Sequence, residues 1–345
     1  MIEPGKELKV SPWQLPVGLL ISVAFLYLAA HNLSWDAFFG NLRRVNLGSI
    51  GLAAMITAVA YVLRGFRWML FFQKTERPSW LDSMRVMLVG YAGNNILPAR
   101  AGELLRAHYM AQRMGMSRSR VLATIVLERA FDALALVALL IIALPVVGRR
   151  IPHLEGVAWL GVCLLLMLIA LFVAWEVRGR RRDTSAPPVA GFVGRMLRRA
   201  DDFVGGLHTL GSHMTLLGIS GLSLAIWTLD ALSFWQTMRA FPVAVPWDAA
   251  LAVCVFGNIG TMIPAGPGAV GTFEFAVVAV LKPWGYDASV SMGMAVMIHL
   301  LQFLLTTGAG FISWLTLTRA VRIKEYPKAG RMGGGFAAGR RSGGA

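Results

Sequence analysis

Long apolar runs recur along this 345-residue chain, and two of them are broken in nearly the same way. A hydrocarbon core about 30 Å thick takes roughly 20 helical residues to cross. Runs of that length lie at 15–33, 47–72, 121–147, 156–176, 214–238 and 289–318, with interrupted segments near 83–100 and 248–282. No water satisfies peptide groups inside hydrocarbon, so spans of this length must be helices. The expected fold class is all-α: a polytopic transmembrane helical bundle containing two Gly/Pro-broken segments. The first run has the length of a signal peptide, but the many later spans favour an uncleaved first helix.

The first break reads Gly93-Asn94-Asn95-Ile96-Leu97-Pro98-Ala99-Arg100-Ala101-Gly102-Glu103. The second reads Gly257-Asn258-Ile259-Gly260-Thr261-Met262-Ile263-Pro264, continuing Ala265-Gly266-Pro267-Gly268-Ala269-Val270-Gly271-Thr272-Phe273-Glu274. Aligning Pro98 with Pro267 sets Gly102 opposite Gly271. In membrane chains, paired interruptions of this kind in corresponding halves point to a transporter's binding site. Irregular backbone survives at membrane depth only when buried in protein or lining a wet cavity.

The formal charge of +15 raises the question of nucleic acid, but its distribution argues for a membrane surface. Of the 33 Lys and Arg, 26 fall in the N-terminus, 64–120, 177–213 and 319–345. Placing those regions in the cytoplasm satisfies the positive-inside rule and puts both termini inside. Arg43, Arg44, Arg149 and Arg150 then lie on the opposite side. In this arrangement the triplets within 47–147 and 214–318 form an inverted repeat, with two re-entrant segments facing each other. The expected organisation is a cytoplasmic stretch 1–14, a membrane domain 15–320 with a basic linker 177–213, and a disordered basic tail 321–345. Segment 34–46 carries Trp35, Phe38, Phe39 and Leu42 at helical spacing and reads as a helix lying in the interface. Anionic phospholipids at the cytoplasmic face are the partners implied by the basic loops, and no nucleic-acid partner is.

Ionisable groups inside a bilayer are costly and therefore usually paired or functional. Glu128 and Asp132 share a face of span 121–147, and Arg129 can reach either. They read as a self-neutralising packing cluster or as a cavity site. Asp230 sits mid-span with no charge close in sequence, so it is protonated or paired across helices, by Arg129 or another arginine. Arg64 and Arg67 end span 47–72 and either snorkel to the interface or line a cavity mouth. Glu103 and Glu274 follow the breaks, where a carboxylate caps a resumed helix or faces the cavity. Arg100 and Arg106 suit a lipid phosphate, which accepts a guanidinium in bidentate fashion. Asn94, Asn95 and Asn258 are placed to satisfy freed backbone groups or to contact a ligand. His299, with Gln302 on the same face, joins Asp230 and Glu274 as a proton-coupling candidate. Gly93, Gly102, Gly257 and Gly271 would permit the bends.

The run Gly266 to Gly271 fits the dinucleotide pattern formally but lacks a flanking βαβ unit. Cys163 and Cys254 are far apart and read as packing residues. The sequence contains no Walker loop, metal cluster or nucleophile elbow, so no cofactor is implied. The stretches Asn94 to Glu103, Glu128 to Asp132 and Pro264 to Glu274 resemble a flippase-like integral membrane family. Its type member is the transmembrane domain of lysylphosphatidylglycerol synthase. Its shared motifs are Asn-x-x-x-Pro-x-Arg-x-Gly-Glu, Glu-Arg-x-x-Asp and Pro-x-x-Pro-Gly-x-x-Gly-x-x-Glu. The resemblance covers roughly 15–320 and implies an inner-membrane protein of a prokaryote that moves a lipid or lipid-linked molecule between leaflets. The synthase's soluble aminoacyl-transfer domain has no counterpart, which argues against lipid aminoacylation by this chain. Alternative expectations are a scaffold partnering a biosynthetic enzyme for hopanoids, glycolipids or aminoacyl lipids, or an intramembrane enzyme using Glu128 and Asp132. The candidate site thus comprises Asn94, Pro98, Arg100, Gly102, Glu103, Arg106, Glu128, Arg129, Asp132, Asp230, Asn258, Pro264, Pro267, Gly268, Gly271 and Glu274, with Arg64 and Arg67 at its mouth.

Overall fold

A computed structural model of the chain describes residues 13–72, 76–151 and 213–325, with Gly156, Trp159 and 161–163 between them. Most of the expected span 156–176, nearly all of the basic linker 177–213 and most of the C-terminal tail lie outside the described residues. The rest is a helical membrane bundle. Its helices are α1 (Gln14–Ala30), α2 (Trp35–Arg43), α3 (Leu47–Leu70), α4 (Trp80–Ile96), α5 (Gly102–Met114) and α6 (Arg118–Val147), followed by α7 (His213–Met238), α8 (Trp247–Gly260), α9 (Thr272–Leu281) and α10 (Ala288–Glu325). Single 3-10 turns at Pro98–Arg100 and Pro267–Ala269 interrupt the two broken segments.

Short polar side chains start the helices where the sequence supplies them. Asn46, Ser79 and Ser117 each accept a hydrogen bond from a first-turn N–H of α3, α4 and α6. Among the described residues, four helices are long and apolar enough to cross a membrane: α3, α6, most of α7 and α10 as far as Thr318. By contrast, α4 at 17 residues spans about 25 Å, and α5, α8 and α9 are shorter still. α1, also 17 residues long, meets α2 at 88°, so the two together make one sharply bent apolar element.

The faces of α3 show how the bundle sits in lipid. Leu52, Met55, Val59, Val62 and Phe66 are exposed on one stripe, whereas Ala53, Thr57, Ala60, Arg64 and Arg67 are buried on the other. Apolar residues thus face outward and the polar ones inward, the reverse of a helix on a water-soluble protein. The buried apolar residues form two main clusters. One joins the first half of α6 to α4, α5 and the end of α3; the other joins its second half to α7, α8 and α9.

The packing pairs elements crosswise. α3 lies against α7, α4 against α10, and α8 against α6. Each broken segment folds on itself as α4 on α5 and α8 on α9, and the two 3-10 turns touch. The bends themselves arise at positive φ: Arg100 (54°) and Ala269 (57°), which occupy aligned positions, with Gly268 and Gly271 beside the latter. Gly93 and Gly257 do not bend the chain; they lie inside α4 and α8, where a side chain would meet the facing helix. Gly102 lets α5 press against α4, since a Cβ there would collide with the carbonyl of Gly90 and lie 2.6 Å from the Asn94 amide nitrogen.

Gly102→Ala is therefore expected to destabilise the protein by about 1–3 kcal/mol. Gly51→Ala on α3, where a Cβ meets nothing within 4 Å, should be neutral or stabilising by up to about 1 kcal/mol. Thermal unfolding of the two variants in detergent checks both.

Candidate functional site

The long helices α3 and α7 are joined by polar contacts along their crossing. Thr57 and Ser233 share a hydrogen bond of 2.7 Å, and the Ser233 hydroxyl donates to the Ala53 carbonyl. Arg64 grips Asp230 with both guanidinium nitrogens, one of them at 3.1 Å. Arg67 donates to Ser223 at 2.8 Å. Asp230 is thus paired across helices, and its partner is Arg64 rather than Arg129.

Arg67 is fully buried and sits at no mouth. It reaches Asp132 at 2.8 Å and Glu128 at 3.7 Å. Snorkelling would require a path to the interface, but two carboxylates of α6 hold the side chain inside instead. Arg106 is likewise fully buried and does not present itself to a phosphate. It is bound to Glu128 at 2.6 Å, with Trp68 stacked 4.2 Å from its guanidinium carbon. Glu128 and Asp132 are therefore neutralised chiefly by α3 and α5, not within their own helix. Tyr91 donates to Glu128 and Trp227 donates to Asp132, completing their shells.

Arg129 has no such tight partner. Glu128, Asp132 and Glu103 lie 3.3, 3.5 and 3.9 Å from it, and its side chain is 40% exposed. Arg100, also exposed, donates to the Thr261 carbonyl at 2.8 Å. That carbonyl closes α8, so a cation of the first broken segment sits on the negative end of the second. Asn258 donates to the Cys254 carbonyl, whereas Asn95 donates to Thr306 and Thr307 of α10. The side-chain oxygen of Asn94 has no partner among the described residues.

Glu274 caps α9, accepting the Gly271 N–H at 2.7 Å, and its other oxygen lies 2.5 Å from His299 Nδ1. The second ring nitrogen of His299 is 2.8 Å from the Gly268 carbonyl oxygen. α1 closes this side: Ser22 accepts the Gly266 N–H, and Gly18 lies directly beneath Ala265.

Between these parts lies a cavity of about 700 Å³. Of the residues singled out from the sequence, Arg64, Asn94, Asn95, Arg100, Glu103, Arg129, Asp132, Asp230, Asn258, Pro264, Gly268, His299 and Gln302 line it. Pro98, Gly102, Pro267 and Gly271 shape the backbone behind the wall, and Arg67, Arg106, Glu128 and Glu274 support it from outside. Tyr61, Tyr91, Trp227, Phe234 and Thr306 also line the cavity, as do Val17 and Gly18 of α1. The spacing Thr57, Tyr61, Arg64 marks a polar stripe on α3 that the helical period alone reveals. Nothing local marks Val17 or Gly18. Among the described residues, no group of three acidic, His or Cys side chains could hold a metal ion.

The profile of the lysylphosphatidylglycerol synthase TM region matches residues 16–310. Glycosyltransferase AglD of Haloferax volcanii is 25% identical, over 91% of this chain and 58% of its own length. The chain thus spans little more than half of that relative. UPF0104 membrane proteins of Methanothermobacter thermautotrophicus and Methanocaldococcus jannaschii are 23% and 22% identical, over 76% and 67% of this chain and 81% and 96% of their own lengths. A profile running from α1 into α10, on a bundle with lipid-facing apolar stripes, places the chain in the lysylphosphatidylglycerol synthase transmembrane-region family of integral membrane proteins.

Proposed function

We propose that this protein moves the polar head group of a phosphate-bearing lipid between leaflets, with the apolar part left in the bilayer. The observation that carries the reading is the cavity, walled by both broken segments and furnished with two loosely held cations. Arg100 and Arg129 retain donors for a phosphate. Asn94, Glu103, Tyr61 and Gln302 offer partners to hydroxyl or amino groups. Arg64, Arg67 and Arg106 are committed to carboxylates and set the shape of the wall.

The crosswise packing supports an inverted repeat in which each broken segment rests on the third helix of the other half. Rocking of one half against the other would then open the cavity to alternate sides. The charge distribution supports a plasma-membrane orientation with both termini in the cytoplasm. A catalytic reading fits less well: Glu128 lies outside the cavity and Asp132 is held by Arg67, which leaves that pair no free acid. The glycosyl transfer in the name of the Haloferax relative can reside in the part of that protein beyond the match.

The test is translocation of acyl-labelled phosphatidylglycerol in reconstituted vesicles, read by dithionite quenching. Wild type should accelerate it. Arg100→Ala and Glu274→Gln should abolish it, while Arg100→Ala, which removes one hydrogen bond at an exposed site, lowers stability by only about 0.5–1.5 kcal/mol. Full transport in both variants refutes the site. No transport by wild type, together with capture of a lipid-synthesising enzyme, favours a scaffold.

Arg67→Met separates the wall from the site. Removing one member of a buried ion network leaves its carboxylates unpaired and should cost about 3–5 kcal/mol. Thermal unfolding in detergent should therefore show a loss well beyond that of Arg100→Ala.

A further inference from the structure

The lipid-transport reading leaves its energy source open. Resting on that reading, we propose that the coupling ion is a proton, bound by His299 between the Glu274 carboxylate and the Gly268 carbonyl.

His299 Nδ1 lies 2.5 Å from Glu274 Oε1, and Nε2 lies 2.8 Å from the Gly268 oxygen. A carbonyl can only accept, and so can an ionised carboxylate, while a neutral imidazole has one N–H and one lone pair. Both contacts are attractive only when the assembly carries one proton more than a neutral ring facing a carboxylate. That proton rests on the ring or on Glu274; in either place the assembly holds it. When it leaves, a lone pair faces an acceptor oxygen and one of the two contacts is lost.

The rest of the geometry decides which contact gives way. Glu274 is 4% exposed, and its other oxygen is fixed by the Gly271 N–H. Gly268 stands at the tip of the second broken segment, in left-handed backbone with Ala269 next to it. The Gly268 contact is therefore the one released, which frees the turn of this segment from α10 while Glu274 still holds α9 to His299. Gly268 and His299 both line the cavity, so the proton is taken from cavity water by the ring lone pair and returned to it. The Phe273 ring, centred 5.1 Å from the imidazole, packs beside it.

From the helices packed on α10, the ionisable groups on the cavity wall are Tyr61 and Arg64 of α3, Tyr91 of α4 and Asp230 of α7. Arg64 and Asp230 neutralise each other.

Two measurements on the full chain test the proposal. In detergent, the infrared difference spectrum between acidic and alkaline samples should contain imidazole and carboxylate bands that disappear together in His299→Gln and in Glu274→Gln. In phosphatidylcholine vesicles containing a pH dye, labelled phosphatidylglycerol should move together with protons. An imposed gradient of about one pH unit should change the lipid rate by up to about tenfold. Lipid movement without proton movement in wild type overturns the proton proposal while the transport reading stands. Linked infrared bands with no lipid movement overturn the transport reading and leave the proton site standing. Infrared bands that are indifferent to each other's substitution overturn the proton site.

Discussion

Neutralising charge across helices in a medium that hydrates nothing is the constraint from which the bundle follows. A charged residue at mid-membrane costs about 2.5–3.5 kcal/mol even on permissive insertion scales. The protein buries Arg67, Arg106, Glu128, Asp132, Arg64 and Asp230 nonetheless. Each is held by a partner on another helix, so α3, α5, α6 and α7 cannot separate without exposing an unpaired ion. Such a network adds little net stability over an apolar core, but it fixes which helices meet and in what register. The aromatic donors Tyr91 and Trp227 extend the same logic to the remaining carboxylate lone pairs.

Against this rigid frame the two broken segments are built differently. Their turns begin with proline and pass through a left-handed residue at the same place, Arg100 in one and Ala269 in the other. A non-glycine residue in that region costs of order 1–3 kcal/mol and persists only where surrounding contacts impose it. In the first segment, the hydrogen bond from Arg100 to Thr261 supplies such a contact. In the second, Ser22 of α1 and His299 of α10 take that part. The strained backbone therefore faces the cavity while ion pairs hold the surroundings still.

Much of this was legible in the sequence. The apolar runs specify a helical bundle, and the two Gly/Pro breaks mark the segments that meet. Asp230, isolated in an apolar run, announces a partner on another helix. What the sequence could not say is which arginine that partner is. Arg64 and Arg67 are three residues apart at a helix end, where snorkelling and burial look alike, and only tertiary packing decides between them. The same limit hid Arg106, whose neighbours suggest a surface helix although its guanidinium is stacked on Trp68. Val17 and Gly18 carry no polar signal at all; they enter the wall because a glycine lets α1 approach Ala265.

The loose hold on Arg129 has an electrical consequence. Around the cavity the five guanidinium groups of Arg64, Arg67, Arg100, Arg106 and Arg129 stand against the five carboxylates of Glu103, Glu128, Asp132, Asp230 and Glu274. A voltage across the bilayer acts on each unbalanced charge with about 2.3 kcal/mol per 100 mV. With those charges balanced, the proton proposed on His299 and Glu274 is the one charge in excess, and a singly anionic guest would cancel it. Under the proposed transport, polarisation of the membrane would therefore bear on a chamber that holds the proton without its guest.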